Sequence, residues 1–216
     1  MLLSGQRAGQ RGDASAADPV ARVDSGVVRV EAVGCRNALF GTGFLLDRHH
    51  VATAAHVVGG ARTINLKQGS GTVAKGTVVG ADPSQDVALV RTDAPIDGHV
   101  FSLANRAPQK SETVAAIGIP SGQPPAVRRG SVRGIAHKLS ATGAAGQPLI
   151  QTDTRIRHGD SGGPLLSTKD GAVLGMVNMS SANGGRPSFA VSSSVVAPLL
   201  ARWRTDPEAV PQRPCR

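Results

Sequence analysis

A serine between glycines, in the segment GDSGGPL at residues 159–165, constrains this chain more than any other feature. The glycines let the backbone turn tightly and let a carbonyl group approach the serine. A serine hydroxyl attacks a carbonyl only when a base takes its proton and backbone N–H groups stabilise the oxyanion that forms. The segment therefore predicts a fold that brings a histidine and an orienting carboxylate to Ser161.

Two other segments supply these partners, each within an apolar frame. The segment TAAHVV carries His56, and the segment QDVALV carries Asp86 at the start of a predicted strand. Asp82, in the turn-like sequence DPS, is a weaker candidate for the carboxylate. The order His, Asp, Ser is that of the chymotrypsin class and differs from the order in subtilisin and in α/β-hydrolases.

The three segments resemble the trypsin-like serine proteases of chymotrypsin fold, and most of all the protease domain of the bacterial HtrA/Deg enzymes. The likeness runs from about residue 25 to about residue 203 and includes the segments LIQTD, GAVLGMVN and FAVS. It implies an all-β fold of two six-stranded antiparallel barrels with a short C-terminal helix. It also implies a serine endopeptidase that acts on polypeptides and needs no cofactor.

The chain departs from these relatives around Asp160. HtrA-type enzymes usually carry Asn at this position, and they usually continue into a PDZ domain, which this sequence lacks. Animal trypsin-like enzymes pair the corresponding Asp with the amino terminus of the mature chain, but no activation sequence is visible here. Asp160 is therefore expected to be solvated, to pair with an arginine or to find another partner.

The resemblance assigns a role to each site residue. Ser161 is the nucleophile, His56 the general base, and Asp86 the group that orients the imidazole. Activity should then rise with pH as the imidazole of His56 loses its proton. The backbone N–H groups of Gly159 and Ser161 form the oxyanion hole.

The resemblance also places a specificity pocket between Ile156 and the strand that carries Asn178, Met179 and Ser180. Because no acidic residue lies at its base, we expect a small or medium aliphatic residue before the cleaved bond. Two nearby arginines and one histidine leave alternatives open. These residues are Arg155, Arg157 and His158. If their side chains are exposed, they are ordinary loop residues. If an arginine points into the pocket, it would favour acidic substrates.

The remaining sequence fits an all-β fold. With four Phe, one Trp and no Tyr, the core must consist of Val, Ala, Leu and Ile, and 27 Gly and 14 Pro residues supply turns. One helix is predicted from Ser194 to Arg204, with Ser193 or Ser194 as its cap. Short apolar segments predict strands at 27–33, 39–46, 62–67, 72–80, 86–91, 112–119, 126–138, 148–153, 163–167 and 172–179.

At 216 residues the chain is expected to form one two-lobed protease domain over residues 23–205. The expected parts are a disordered segment 1–22, a first barrel at about 23–105, a second at about 110–195, the helix 194–204 and a tail 206–216. No run is long enough for a transmembrane helix, and no signal peptide is visible. A secreted or cell-envelope location is expected if the natural start is missing, and a cytoplasmic location stays open.

Cys35 and Cys215 are the two cysteines of the chain. A disulfide between them would tie the tail to the first barrel, and it would persist only in an oxidising compartment. The alternative is two unrelated free thiols.

The net charge of +9 comes from 24 basic and 15 acidic residues. The basic cluster of Arg128, Arg129 and Arg133 lacks the interleaved aromatic residues that favour single-stranded nucleic acid. We therefore expect a solvated basic surface and no specific nucleic-acid partner. His49 and His50 lack a metal-binding constellation of Cys or carboxylate neighbours, so no metal site is expected.

Two other functions remain open at this stage. The chain could be a catalytically silent binding protein on the same fold, since a fold does not imply a function. It could also be a latent protease that a partner or a pH change activates. The small-residue segment 140–148 would suit a gate in such an enzyme, or it would be a passive connector. No assembly surface is legible, so the oligomeric state is left open.

Overall fold

The computed structural model describes residues 20, 23–69, 71–120, 123–137, 147–180, 187–208 and 210. Twelve strands in this part of the chain form two closed barrels of six antiparallel strands each. The expected architecture of two barrels followed by a short helix is thereby confirmed. Residues 138–146, which include most of the segment considered as a gate, lie outside the described residues.

The first barrel closes in the order β1-β2-β3-β6-β5-β4. Small and branched apolar side chains fill its interior, among them Val30, Leu45, Leu66 and Val90, all fully buried. A short helix, α1 (Ala55–Val58), directly follows β3. The strands are β1 (Val27–Val33), β2 (Ala38–Asp47), β3 (His50–Thr53), β4 (Thr63–Gln68), β5 (Gly71–Asp82) and β6 (Val87–Thr92).

The second barrel closes in the order β10-β11-β12-β9-β8-β7. Its interior has the same character, with Ile150, Leu165, Leu174 and Val177 buried together. The strands are β7 (Thr113–Gly118), β8 (Ala126–His137), β9 (Pro148–Thr152), β10 (Pro164–Ser167), β11 (Val173–Ser180) and β12 (Ser188–Ser192).

The helix α2 (Ser193–Thr205) packs across both barrels. Its Trp203 is fully buried in a third apolar cluster, which joins the facing sides of the barrels through residues such as Phe44, Ile117 and Met176. The cap is Ser192, whose side chain accepts a hydrogen bond from the N–H of Ser194. The sequence predicted Ser193 or Ser194 as the cap. The helix begins at Ser193, one residue before the predicted start, so Ser192 in its extended conformation is the cap.

Two short strands are missing from the predicted ranges, although Val51 and Ala52 within β3 have a strand-like sequence. β3 has four residues directly after the β2 turn, and β12 has five residues that run straight into α2. Each is too short to show a clear alternating pattern, and barrel closure rather than local sequence makes it a strand. Because β3 leads to His56 and β12 pairs with β11, the strand that carries Asn178, both omissions fall next to the candidate site.

Cys35 is disulfide-bonded in the structure. The other cysteine of the chain, Cys215, lies outside the described residues. The pairing of the two therefore stays a prediction.

Candidate active site

His56 and Asp86 meet at the end of the first barrel. His56 lies in α1, and its Nδ1 is 2.8 Å from Oδ2 of Asp86. Its backbone N–H also donates to Oδ1 of the same carboxylate, at 2.8 Å. These two contacts fix the imidazole relative to the carboxylate, and the half-exposed ring leaves its other nitrogen available. The pair has the geometry of a base oriented by an acid.

The backbone at Asp86 adopts a left-handed conformation, with φ of 56° just before β6. Such a conformation is uncommon outside glycine and is often found where a functional side chain must be aimed. Asp86 is 8 % exposed, so its carboxylate depends on protein donors rather than on water.

Asp82 holds the turn before Asp86. Burial alone would raise the pKa of its carboxyl group, but hydrogen bonds from the Ser84 hydroxyl and from the N–H groups of Ser84 and Gln85 lower it below the usual value. The Asp82 carboxylate therefore stabilises this loop, and the carboxylate on His56 is that of Asp86.

Asn178 connects the carboxylate to the serine. Its side-chain Nδ2 donates to Oδ2 of Asp86 at 2.8 Å, and its backbone carbonyl accepts from the Ser161 hydroxyl at 3.1 Å. Among the described contacts, the Ser161 hydroxyl uses this carbonyl and not His56. The structure thus joins Ser161 to the His56–Asp86 pair through Asn178. This contact was missed from the sequence, because an Asn in an apolar strand carries no motif of its own.

Thr42 on β2 holds the turn that carries Ser161. Its N–H donates to the Ser161 carbonyl at 2.8 Å, and its hydroxyl donates to the Gly159 carbonyl at 2.6 Å. Gly159 has φ of 97°, and no backbone carbonyl of the described chain accepts its N–H or that of Ser161. The two N–H groups predicted to form the oxyanion hole are therefore left for another acceptor.

Gly162 brings the second barrel against the first. A Cβ added there would lie 2.2 Å from the Thr42 carbonyl and 2.5 Å from the Thr53 hydroxyl, and φ is 87°. Only glycine fits this approach. The glycine after Ser161 is thus required for the barrels to close around the site.

Asp160 pairs with Arg128, which decides among the partners that the sequence left open. The Nε of Arg128, on β8, donates to Oδ2 of Asp160 at 2.9 Å, and the Arg157 N–H donates to the same oxygen at 2.7 Å. Asp160 is 2 % exposed. Because a buried carboxylate needs a counter-charge, Arg128 stabilises the turn in which Ser161 lies.

The predicted pocket residues are only partly described. Ile156 is buried in the second barrel's interior cluster. Asn178 uses its amide on Asp86, so its role as a pocket wall stays a prediction. The side chains of Met179 and Ser180 lie outside the described residues.

The basic residues of the serine loop are exposed, as expected if they are ordinary loop residues and not part of the specificity pocket. They are Arg155, Arg157 and His158. His50, the first residue of β3, contacts Asp47 through Nδ1 at 2.9 Å. Within the described ranges, no group of three or more His, Cys, Asp or Glu is placed to hold a metal ion.

A family profile described as a trypsin-like peptidase domain matches residues 41–176. Among curated proteins, the chain is 34% identical over 161 residues to "Serine protease Do-like HtrA" of Bacillus subtilis, covering 69% of this chain and 35% of that protein. It is 34% identical over 171 residues to "Probable periplasmic serine endoprotease DegP-like" of Halomonas elongata, covering 77% and 35%. The chain thus spans about a third of the length of these two relatives.

Among solved structures, the active form of the Rv3671c protease from M. tuberculosis superposes with a TM-score of 0.77 at 25% identity. The match covers 88% of this chain and 85% of that one. No helix in the described part of this chain is long and apolar enough to cross a membrane.

Proposed function

Because the chain belongs to the trypsin-like peptidase family, we propose that it is a serine endopeptidase that cleaves polypeptides with Ser161, His56 and Asp86. One observation carries the proposal: the Asp86 carboxylate holds the imidazole of His56 and, through Asn178, lies next to the Ser161 hydroxyl. A protein that only binds peptides has no need for this arrangement.

The proposed reaction begins when His56 takes the proton of the Ser161 hydroxyl. The oxygen attacks the substrate carbonyl, and the resulting oxyanion accepts hydrogen bonds from the N–H groups of Gly159 and Ser161. His56 then gives its proton to the leaving amine, the C–N bond breaks, and an acyl group remains on Ser161. A water molecule, deprotonated by His56, attacks the acyl carbon, and the proton returns to Ser161 as the acid leaves.

Asp86 has a positioning role in each step. Its contact to Nδ1 holds the tautomer whose other ring nitrogen can accept the Ser161 proton, and its charge stabilises the protonated ring. The donation from Asn178 keeps this buried carboxylate in place.

For specificity, we propose a preference for a small or medium aliphatic residue before the cleaved bond. The support is the outward position of the arginines on either side of Ile156, which leaves no charged side chain directed inward from this part of the serine loop. We further propose that the protein works in the cell envelope. The disulfide at Cys35 supports an oxidising compartment, and one relative is named as periplasmic.

The proposal is tested by cleavage of unfolded casein, followed by gel electrophoresis and mass spectrometry of the fragments. We expect fragments with the natural chain and none with Ser161→Ala or His56→Ala. Cleavage that persists in Ser161→Ala would refute the assigned nucleophile.

A latent protease is the second candidate, and the Ser161 hydroxyl favours it because it donates to the Asn178 carbonyl. In a latent enzyme, a bound peptide must first release this hydroxyl. Casein cleavage that shows a lag, and that loses the lag when a short peptide is added, would identify the latent form. Linear progress from the first minute would exclude it.

A further inference from the structure

A groove beside the serine turn is not used by the chemistry described so far. It has a volume of about 390 Å³ and runs between the outer face of the first barrel and Ile119 and residues 123–125 of the second. Arg29 and Lys67 line one side, and Ile119, Pro124 and Pro125 line the other. The groove thus combines positive charge with an apolar wall.

Thr42 connects this groove to the site. Its hydroxyl bonds Gly159 of the serine turn and also accepts a hydrogen bond from the N–H of Ile119 at 2.8 Å. Arg29 is the cross-strand partner of Thr42, so the two side chains share one face at a Cα separation of about 5 Å. The path from Ser161 past Thr42 to the Arg29 side chain is about 10 Å long. An extended substrate rises about 3.3 Å a residue, so the groove begins two to four residues from Ser161.

The groove lies on the leaving-group side of Ser161. The Ser161 hydroxyl faces Asn178 on β11, where the specificity pocket is predicted, whereas its carbonyl faces Thr42 on β2. A polypeptide that occupied the predicted pocket on the β11 side would continue across Ser161 to the β2 side, over the buried Thr42. The segment released as the amine then lies along the groove.

Arg29 is the groove cation that has no ion pair within the described part of the chain, although its charge helps to lower the pKa of Glu31. The ammonium group of Lys67 is 2.5 Å from the carboxylate of Glu31, which cancels its charge. The Arg29 guanidinium lies 4.5 Å above the ring centre of Phe40, and no carboxylate of the described chain forms an ion pair with it. Its Nε is buried and has no hydrogen-bond partner in that part of the chain.

Besides Glu31, which is paired with Lys67, the acidic residues described near the groove lie farther along it. Asp24 and Asp97 line the neighbouring cavity, and Asp97 is bonded to Arg48 at 2.6 Å. With Lys67 paired to Glu31, Arg29 leaves the end of the groove near Thr42 with a net positive charge.

From this geometry we propose that the groove binds the leaving-group side of the substrate and that Arg29 selects an Asp or Glu two to four residues after the cleaved bond. The inference rests on the proposed peptidase function. The stacked guanidinium is oriented in advance by Phe40, so a carboxylate can be bound at little cost in side-chain entropy.

The test uses synthetic peptides that span the casein bond cleaved fastest. They are identical up to the first leaving residue and carry Glu, Gln or Lys at the second to fourth. We expect kcat/KM to be about tenfold higher with Glu than with Lys, since attraction and repulsion at a partly exposed cation each contribute a few-fold. The ratio should shrink at 0.5 M salt, because such interactions are screened.

Variants assign the preference to Arg29. Arg29→Met should abolish it, and Arg29→Glu should reverse it in favour of Lys. Arg91→Met is the matched control, because it removes a positive charge from β6, the strand opposite β1 in the same barrel. All rates are divided by the concentration of Ser161 that a fluorophosphonate labels, which corrects for misfolded protein.

A binding measurement separates this inference from the peptidase proposal. Fluorescein-labelled leaving-side peptides are titrated into Ser161→Ala, and Glu peptides should bind more tightly than Lys peptides, with no difference in Ser161→Ala/Arg29→Met. Equal binding, rates within twofold for all peptides, or a preference that survives Arg29→Met would overturn the inference. Unequal binding without any cleavage by the natural chain would support the groove and refute the peptidase.

Discussion

The Asp86 carboxylate makes more contacts than a sequence motif can show. It binds the backbone and the ring of His56 and the amide of Asn178, from a residue with a left-handed backbone. The strain at Asp86 is maintained because three donors on two barrels converge on it. The pair of His56 and Asp86 is therefore a property of the assembled molecule and not of α1 alone.

Replacement of Asn178 should weaken catalysis without removing it. In Asn178→Ala the Asp86 carboxylate loses one buried donor, and a hydrogen bond to a charged group contributes about 1.5–3 kcal/mol. We expect kcat to fall at least about tenfold, with a smaller change in KM. Asn178→Asp is the matched variant: it keeps the shape but puts a second carboxylate beside Asp86, so its activity at neutral pH should fall further. Activity in Asn178→Asp equal to that of the natural chain would contradict the role of this amide as donor.

His56, Asp86 and Ser161 could be predicted from the sequence because each lies in a short segment whose neighbours are as characteristic as the residue itself. Asn178 was predicted only as a pocket residue, because its contact to Asp86 spans both barrels. The three alternatives for Asp160 could not be reduced to one for the same reason. Arg128 is 32 positions away, and only the pairing of β7 with β8 places it beside the serine turn.

At the scale of the element, two features hold the serine turn in place. One is the ion pair of Asp160 with Arg128, and the other is a glycine that leaves room for the Asp160 carboxylate. Arg128 lies on β8, while Gly118 on β7 leaves room for the carboxylate of Asp160. The Arg128 Nη2 and the Asp160 Oδ1 are buried and lack partners in the described part of the chain. The ion pair is thus a single contact, and loss of Arg128 leaves a buried carboxylate with the Arg157 N–H as a donor but without a counter-charge.

Replacement of Arg128 should disorder the serine turn, which carries the N–H groups proposed to form the oxyanion hole. In Arg128→Met we expect about a 100-fold loss in kcat, which is comparable to the loss of one oxyanion donor. The double variant Arg128→Met/Asp160→Asn has no buried charge and should recover most of the activity, because a buried pair can be replaced as a unit. A double variant as inactive as Arg128→Met would contradict this account.

A methyl group at position 118 should also displace the serine turn, because it would contact the Asp160 carboxylate from β7. In Gly118→Ala the new Cβ would lie 2.2 Å from Oδ1 of Asp160, so the carboxylate and the turn must move. We expect slower labelling of Ser161 by a fluorophosphonate, with casein cleavage reduced in proportion. Gly134→Ala on β8 is the control, since nothing lies within 4 Å of the added atom.

At the scale of the whole molecule, α2 binds the barrels together. A Cβ on Gly80 would lie 2.0 Å from the indole of Trp203, so the helix packs directly on the backbone of β5. Gly80→Ala should lower the free energy of unfolding by about 1–3 kcal/mol, the usual cost of overpacking. Urea unfolding, followed by the fluorescence of the single Trp, measures this change.

The segment that connects β6 to β7 contains an ion pair, Arg106–Glu112, that makes the stability of the fold depend on pH. Hydrogen bonds from Arg106 hold the pKa of Glu112 below its usual value of 4.5. A carboxyl group whose pKa is lower in the folded state than in the unfolded state stabilises the fold above its unfolded pKa. This stabilisation is lost as pH falls through the folded-state pKa. We expect the urea midpoint to decrease below about pH 4.5, and to decrease less in Arg106→Met. Equal slopes in the two proteins would show that this ion pair does not contribute.

Much of the overall architecture could be predicted, because alternating apolar residues and glycine-rich turns mark most strands. The short strands β3 and β12 could not, since closure of each barrel determines them. The position of α2 also depends on a contact between Gly80 and Trp203 that no local pattern indicates.

The central claim is that Ser161 is a nucleophile activated by His56 and Asp86. The most direct measurement is covalent labelling by a fluorophosphonate, read by intact mass, for the natural chain, Ser161→Ala and His56→Ala. We predict one adduct on the natural chain, none on Ser161→Ala and labelling slower by at least about 1,000-fold on His56→Ala. No adduct on the natural chain, or an adduct that persists on Ser161→Ala, would contradict the claim.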